Sequence, residues 1–266
     1  MRSADFFETH PVFTGEEFAA ARAPMGVSPY TTRNLLAKHA ASGHIVRIRR
    51  GLYATVPRGV GLAETTVDPY LLATKLSEDA TVSYHAALQF HGKAYSVWNR
   101  FHYLTVRKAR AFAFRGMEFV PVQLPASLRG QPGLEGDVVK KHHAGGVVRV
   151  TTLERTLVDV MDRPDLAGGW EEIWRSLEMV EFFDLDAVVY LALALGRAIT
   201  VARVGLFLDQ HSDALMVEPR RLERLREHVP KQPRYLDASR EPGRLVRPWN
   251  LIVPERILER RWTEVA

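Results

Sequence analysis

The sequence predicts an α+β protein. A winged helix-turn-helix domain is expected over residues 1–60, followed by a larger α+β domain over 61–266, sheet-containing through 61–150 and mainly helical over 151–266. Three observations carry this reading. Arg22 to Ala63 contains no carboxylate but holds Arg22, Arg33, Lys38, Arg47, Arg49, Arg50 and Arg58. Within that run the order is a capped helix, a glycine stop and a basic hairpin. From Thr152 onward the apolar spacing changes from strand-like alternation to helical period.

The elements follow in chain order. Ser3 to Thr9 is predicted as a short helix ending before Pro11. Thr14-Gly15-Glu16-Glu17 is a capping box in front of Phe18-Ala19-Ala20-Ala21: a Thr side chain and a Glu three residues on satisfy each other's backbone donors. Pro24 to Val27 is a turn. Ser28 caps the next helix, with Pro29 at its first position, where a missing N–H costs nothing; Gly43 ends it. Ile45 to Ile48 and Leu52 to Val56 are short strands around an Arg49-Arg50-Gly51 turn.

Thr55 to Val67, with Pro57, Gly59 and Gly61, reads as a linker. Asp68-Pro69 opens a helix through Leu76, and Ser83 is expected to cap another over Tyr84 to His91. Strands are expected at Phe101 to Val106, Ala111 to Phe114, Met117 to Leu124, Asp137 to His142 and Val147 to Val150, with a Pro/Gly-rich loop over Ala126 to Gly136. Helices follow at Leu153 to Asp162, Trp170 to Met179, Leu185 to Leu195, Val201 to His211 and Pro219 to Val229.

Composition narrows the function. The chain has 266 residues and no cysteine, which excludes disulfides, thiolate metal sites and cysteine nucleophiles. The most apolar run, Ala187 to Leu208, is interrupted by Arg197 and Arg203, against a membrane span. The first residues contain acids and no long apolar core, unlike a signal peptide, so a cytoplasmic location is expected. Net charge is +5 and unevenly placed: eight basic and four acidic residues lie in 1–63, twelve and seven in 219–266, leaving an acidic middle. Basic ends fit phosphate binding.

In a helix-turn-helix the second helix enters the major groove with its early residues facing base edges. On the helix starting at Ser28, Leu35, Leu36 and Ala40 form the inward stripe, and Thr31, Asn34 and Lys38 share the outward face. Tyr30, Thr31, Thr32, Arg33 and Asn34 occupy the first turns. Asn reads adenine and Arg reads guanine by paired hydrogen bonds; Lys38 suits a phosphate. Arg47, Arg49 and Arg50 around a glycine turn make a basic tip for a minor groove or the backbone. Duplex DNA is the expected partner, and no cofactor is expected.

Arg50-Gly51-Leu52-Tyr53, then Ser83-Tyr84-His85-Ala86-Ala87-Leu88 with His91-Gly92, then Val150-Thr151-Thr152-Leu153-Glu154-Arg155-Thr156-Leu157-Val158-Asp159, and finally Trp249-Asn250-Leu251-Ile252-Val253-Pro254, resemble the AbiEi family of type IV antitoxins. The resemblance implies an N-terminal winged helix that represses the antitoxin's own operon. It also implies a C-terminal domain that counters a nucleotidyltransferase-like toxin without a stable complex. No catalytic residue comes with it, and the protein is expected not to be an enzyme.

Gly168-Gly169 with Asp184-Leu185-Asp186 superficially resembles a nucleotidyltransferase's glycine and paired-carboxylate elements, but Asp184 opens a helix where a strand is required. Asp137-Val138-Val139-Lys140 has one residue too many for a nuclease acid-x-Lys strand. His85, His91, His142 and His143 lack partners at metal-ligand spacing. Arg155 and Asp159 are an i, i+4 ion pair suited to fixing their helix. Arg220, Arg221 and Arg224, interleaved with Glu223 and Glu227, form either a solvated salt-bridged face or a second basic surface. A nucleic-acid-processing enzyme with a DNA-recruiting winged helix, and a ligand-sensing regulator, are the alternative readings.

Overall fold

The N-terminal capping signals act as the sequence predicts. A computed structural model of the chain describes residues 2–130 and 137–262, so residues 131–136 of the loop expected at Ala126 to Gly136 lie outside the described residues. Helix α1 (Ser3–Thr9) leads to strand β1 (Val12–Thr14). Thr14 then caps α2 (Gly15–Arg22): its side chain accepts from the Glu17 N–H at 3.1 Å, and the Thr14 N–H donates to Glu17 Oε2 at 2.8 Å. A 3-10 turn at Ala23–Met25 ends on Gly26 at φ +68°, and α3 (Pro29–Ala41) follows. Strands β2 (Ile45–Arg49) and β3 (Leu52–Thr55) form the hairpin.

Strand β1 leaves no signal in the sequence. Three residues between Pro11 and a helix cap are too few to show alternation, yet Phe13 is fully buried and β1 pairs antiparallel with β3, Phe13 opposite Tyr53. The sheet order is β1-β3-β2. Phe6, Phe7, Phe13, Phe18, Leu36 and Ile45 fill the core beneath it, with Phe6 edge-on to Phe13 and Phe18, each at 5.1 Å between ring centroids.

By contacts the chain forms two units: Met1–Val82 with Asn99–Val122 and Lys140–Arg149, and Ser83–Trp98 with Gln123–Val139 and Val150 onward. Besides the elements above, the first unit contains α4 (Pro69–Thr74), capped by Asp68 as expected, and most of a six-stranded sheet. Its strands are β4 (Thr81–Val82), β5 (Arg100–Thr105), β6 (Phe112–Phe114), β7 (Met117–Gln123), β8 (Val138–His143) and β9 (Gly146–Thr151), ordered β6-β7-β5-β4-β9-β8. The two-residue β4 was also invisible to the sequence reading. Leu71, Leu72, Phe101, Tyr103, Phe119 and Val148 are buried in this part.

The second unit is built on α5 (His85–Phe90), α6 (Leu153–Asp162), α7 (Trp170–Glu178), α8 (Leu185–Leu195), α9 (Ala198–Gln210) and α10 (Pro219–Arg226). Its C-terminal part contains a three-stranded sheet that the sequence reading does not contain: β10 (Arg234–Tyr235), β11 (Arg244–Val246) and β12 (Leu251–Val253), ordered β10-β12-β11, before α11 (Glu255–Leu258). Gly205 in α9 admits the Trp249 ring, which a Cβ at that position would meet at 2.0 Å.

One expected cap is corrected. Ser83 does not cap α5; Tyr84 holds the N-cap position at φ +55°, because the helix begins one residue later than the pattern indicated, and the buried Ser83 hydroxyl has no partner among the described residues. His85, fully buried and stacked on Trp98 at 3.9 Å, instead meets Glu172 Oε1 at 3.0 Å. Ser96 adds its N–H at 3.0 Å and its hydroxyl at 2.7 Å. Against the cost of burial, these hydrogen bonds hold the Glu172 carboxyl down to about 2.

The expected Arg155–Asp159 pair forms at 2.8 Å, with both residues buried, and Asp137 closes the other side of the same guanidinium. Asp184 caps α8 through the N–H groups of Asp186 and Ala187, both at 3.1 Å, and Asp186 pairs with Arg221. The carboxylates weighed for catalysis therefore have structural partners. Among the described residues, no group of three His, Asp or Glu side chains is placed to hold a metal ion, and no helix is long and apolar enough to cross a membrane.

Candidate nucleic-acid interface

Local sequence sets the presentation of α3. Ser28, in extended backbone, accepts from the Thr31 N–H at 3.1 Å, and the Ser28 and Thr31 hydroxyls lie 2.9 Å apart. Pro29 takes the first helical position. Leu36 is buried, Leu35 and Ala40 pack beside it, and the stripe expected to face inward does so. Thr31, Asn34 and Lys38 are all exposed, as are Arg33 and Tyr30, the last at 72%. None of the side chains of Tyr30, Arg33, Asn34 and Lys38 is tied up in a hydrogen bond or ion pair among the described residues.

Two of the sequence-derived residues are placed differently from the rest. Thr32 is 4% exposed, and its hydroxyl donates to the Ser28 carbonyl at 3.0 Å, so it faces the core. A hundred-degree turn from Thr31 is enough to move a side chain from the outward face to the interior, and the run Thr31-Thr32-Arg33-Asn34 cannot all face one way. Arg49 is part of the architecture of its own unit: Nη2 donates to the Leu76 carbonyl at 2.8 Å, and the guanidinium lies 5.6 Å from the Phe112 ring centroid.

Arg47 and Arg50 are exposed. The hairpin that carries them bends at a bulge between Arg47 and Arg49 and turns through Gly51 at φ +78°, a backbone region that favours glycine. The Gly51 carbonyl accepts from the Gly15 N–H at 2.8 Å, which ties the turn to the start of α2. Leu52 is buried and Tyr53 stacks on Phe13 at 5.7 Å, so the hairpin is fixed from its inner face. Arg22 and Arg58 are occupied, by Ser3 Oγ and Glu8 respectively. Among the described residues the carboxylate-free run thus resolves into six free polar or cationic groups on two elements, Tyr30, Arg33, Asn34, Lys38, Arg47 and Arg50, and three arginines with structural partners.

His39 lies on the other side of α3, edge-on to Phe7 at 5.0 Å and to His44 at 5.6 Å. Burial first, and then the charges of His44, Arg22 and Lys38, lower its pKa below the usual imidazole value. A depressed folded pKa means the unfolded chain binds the proton more readily. The resulting stability is present above about pH 6.5 and lost as pH falls from there through the lower folded pKa. Urea midpoints at about pH 7.5 and 5.5 should therefore differ by less in His39→Leu than in the wild type; equal differences would remove His39 from the acid response.

This capped helix with a basic hairpin occupies the segment that a known family also matches. Residues 1–56 match the family model described as transcriptional regulator, AbiEi antitoxin. The AbiEi match spans α1 to β3 and so contains every interface residue named above. No curated protein gives a significant match to the chain. Among solved structures, the crystal structure of the RV2827C protein from Mycobacterium tuberculosis is similar in fold, with a TM-score of 0.55 at 17% identity, covering 96% of this chain and 90% of that one.

In the second unit, Arg220 pairs with Glu218, and Arg221 with Glu218 and Asp186, leaving Arg224 exposed on α10. These carboxylates reduce the surface that the sequence offered as a second basic face.

Proposed function

We propose that this chain is a DNA-binding regulator and antitoxin of a type IV toxin–antitoxin system, and not an enzyme. The N-terminal elements act as a winged helix-turn-helix, with α3 as the recognition helix and the β2–β3 hairpin as the wing. The supporting observation is the exposed set Thr31, Asn34 and Lys38 on one face of α3 together with the exposed Arg47 and Arg50 on the hairpin. Such a set matches what groove reading requires: a short polar side chain for base edges and flexible cations for phosphates. The order helix, helix, hairpin, and the family match over the same residues, support the same reading.

Repression of its own operon and relief from a nucleotidyltransferase-like toxin encoded beside it complete the proposal, the second unit being responsible for the relief. They rest on the AbiEi resemblance along the chain. The test has two arms. A reporter driven by the chain's own upstream region should be silenced by the wild type and released by Asn34→Ala. Growth arrested by the neighbouring toxin should be restored by the chain, and also by Asn34→Ala, because relief does not pass through operator recognition. An unsilenced reporter would refute the regulatory half; persistent arrest with the wild type would refute the antitoxin half.

A further inference from the structure

We propose that the second unit carries its own site for a single-stranded nucleic acid, in the groove between the start of α9 and residues 230–240. The groove measures about 900 Å³. Lys231, Arg234 and Arg240 line it, all exposed and none paired with a carboxylate among the described residues. Tyr235 lies beside them at 40% exposure. The one carboxylate among the described residues of the lining, Asp237, is committed elsewhere: it accepts from Trp170 Nε1 at 2.5 Å and from the Ser239 N–H at 2.8 Å.

The walls are held in place before any ligand arrives. Asn250 Nδ2 donates to the Pro230 carbonyl at 2.8 Å, the Arg234 N–H donates to the Asn250 carbonyl at 2.8 Å, and the Leu236 N–H donates to the Ile252 carbonyl at 3.0 Å. Arg203 forms a fixed floor, donating to the Leu236 and Met161 carbonyls at 2.7 and 2.9 Å. Arg240 sits at φ +53°, an unfavoured backbone state for a non-glycine residue.

Three free cations and an exposed ring along one groove are the elements by which proteins hold single strands: phosphates meet the cations, and an unstacked base meets the ring. A duplex keeps its bases stacked inside and has no use for Tyr235. The inference does not rest on duplex recognition by α3, since every residue it uses lies in the second unit.

The experiment is fluorescence anisotropy on the full chain with a short labelled oligoribonucleotide of mixed sequence, and with the deoxy strand of the same sequence. Both strands, or the ribonucleotide alone, should bind, and excess unlabelled duplex should leave them bound. The combined variant Lys231→Gln, Arg234→Gln, Arg240→Gln should weaken binding at least tenfold. It should also reduce the salt slope by about 2, at about 0.7 per phosphate contact on a single strand. Tyr235→Ala should weaken binding several-fold and leave the salt slope unchanged, which separates stacking from charge. Lys231→Gln and Arg240→Gln alone, each expected to weaken binding about threefold, keep the test decisive where the combined variant melts early. Failure of both strands to bind, equal affinity of wild type and variants, or complete displacement by duplex would overturn the site. Tighter binding of the ribonucleotide assigns RNA as the occupant; equal binding assigns either strand.

Discussion

Replacing Arg155 with Met is expected to destabilise the protein by about 3–5 kcal/mol, because it strands two buried carboxylates, Asp137 and Asp159, without their shared cation. For a chain of this size that corresponds to a fall in melting temperature on the order of 10 °C. The loss comes from the unpaired charges and not from the pair's intrinsic strength. Burial already pushes the Asp159 carboxyl above its ordinary range with Arg155 in place. Asp137→Ala, Arg155→Met and Asp159→Leu together should accordingly recover much of the loss, since an apolar replacement of a buried ionic cluster is often neutral. Differential scanning calorimetry of the single and triple variants decides it. A single variant as stable as the wild type would show that the three groups contribute nothing net.

Charge reversal at the hairpin is the second large effect. Arg47→Glu with Arg50→Glu should reduce operator affinity at least a hundredfold at moderate salt and lower the log–log salt slope by about 2, two phosphate contacts being lost at about 0.9 each. Both side chains are exposed and unpaired among the described residues, so melting behaviour should be unchanged. Arg49 is unsuited to this test: it holds the Leu76 carbonyl and the Phe112 ring, and its reversal would disturb folding and binding together. Asn34→Ala provides the contrast. It should cost about 1–3 kcal/mol on the operator and little on unrelated duplex, with the salt slope intact. Quantitative gel shifts at three salt concentrations separate the two patterns. An unaltered slope after the double reversal would remove the hairpin from the interface.

Much of the architecture was legible in the sequence because its signals are local. Thr14 with Glu17, Ser28 with Pro29, Asp68 with Pro69, and Asp184 each satisfy backbone donors a few residues away, and all cap helices as read. The inward face of α3 follows from helical period alone. Elements that depend on distant partners were not legible. Strand β1 exists because β3, some forty residues on, supplies its hydrogen bonds, and β10 and β11 exist because β12 lies between them. Two- and three-residue strands contain too few alternations to be read.

The candidate interface divides along the same line. By itself the sequence determined where the cations are, that no acid interrupts them between Arg22 and Ala63, and that a capped helix precedes a basic hairpin. Tertiary structure alone decided which of those groups are free. Arg49 was drawn onto Leu76 and Phe112, and Arg221 was taken up by Asp186, whereas Lys231, Arg234 and Arg240 kept no carboxylate among the described residues. Charge is a property of each residue and can be counted along the chain; whether it is spent depends on which groups folding brings within hydrogen-bond distance, and that is set by packing between segments remote in sequence.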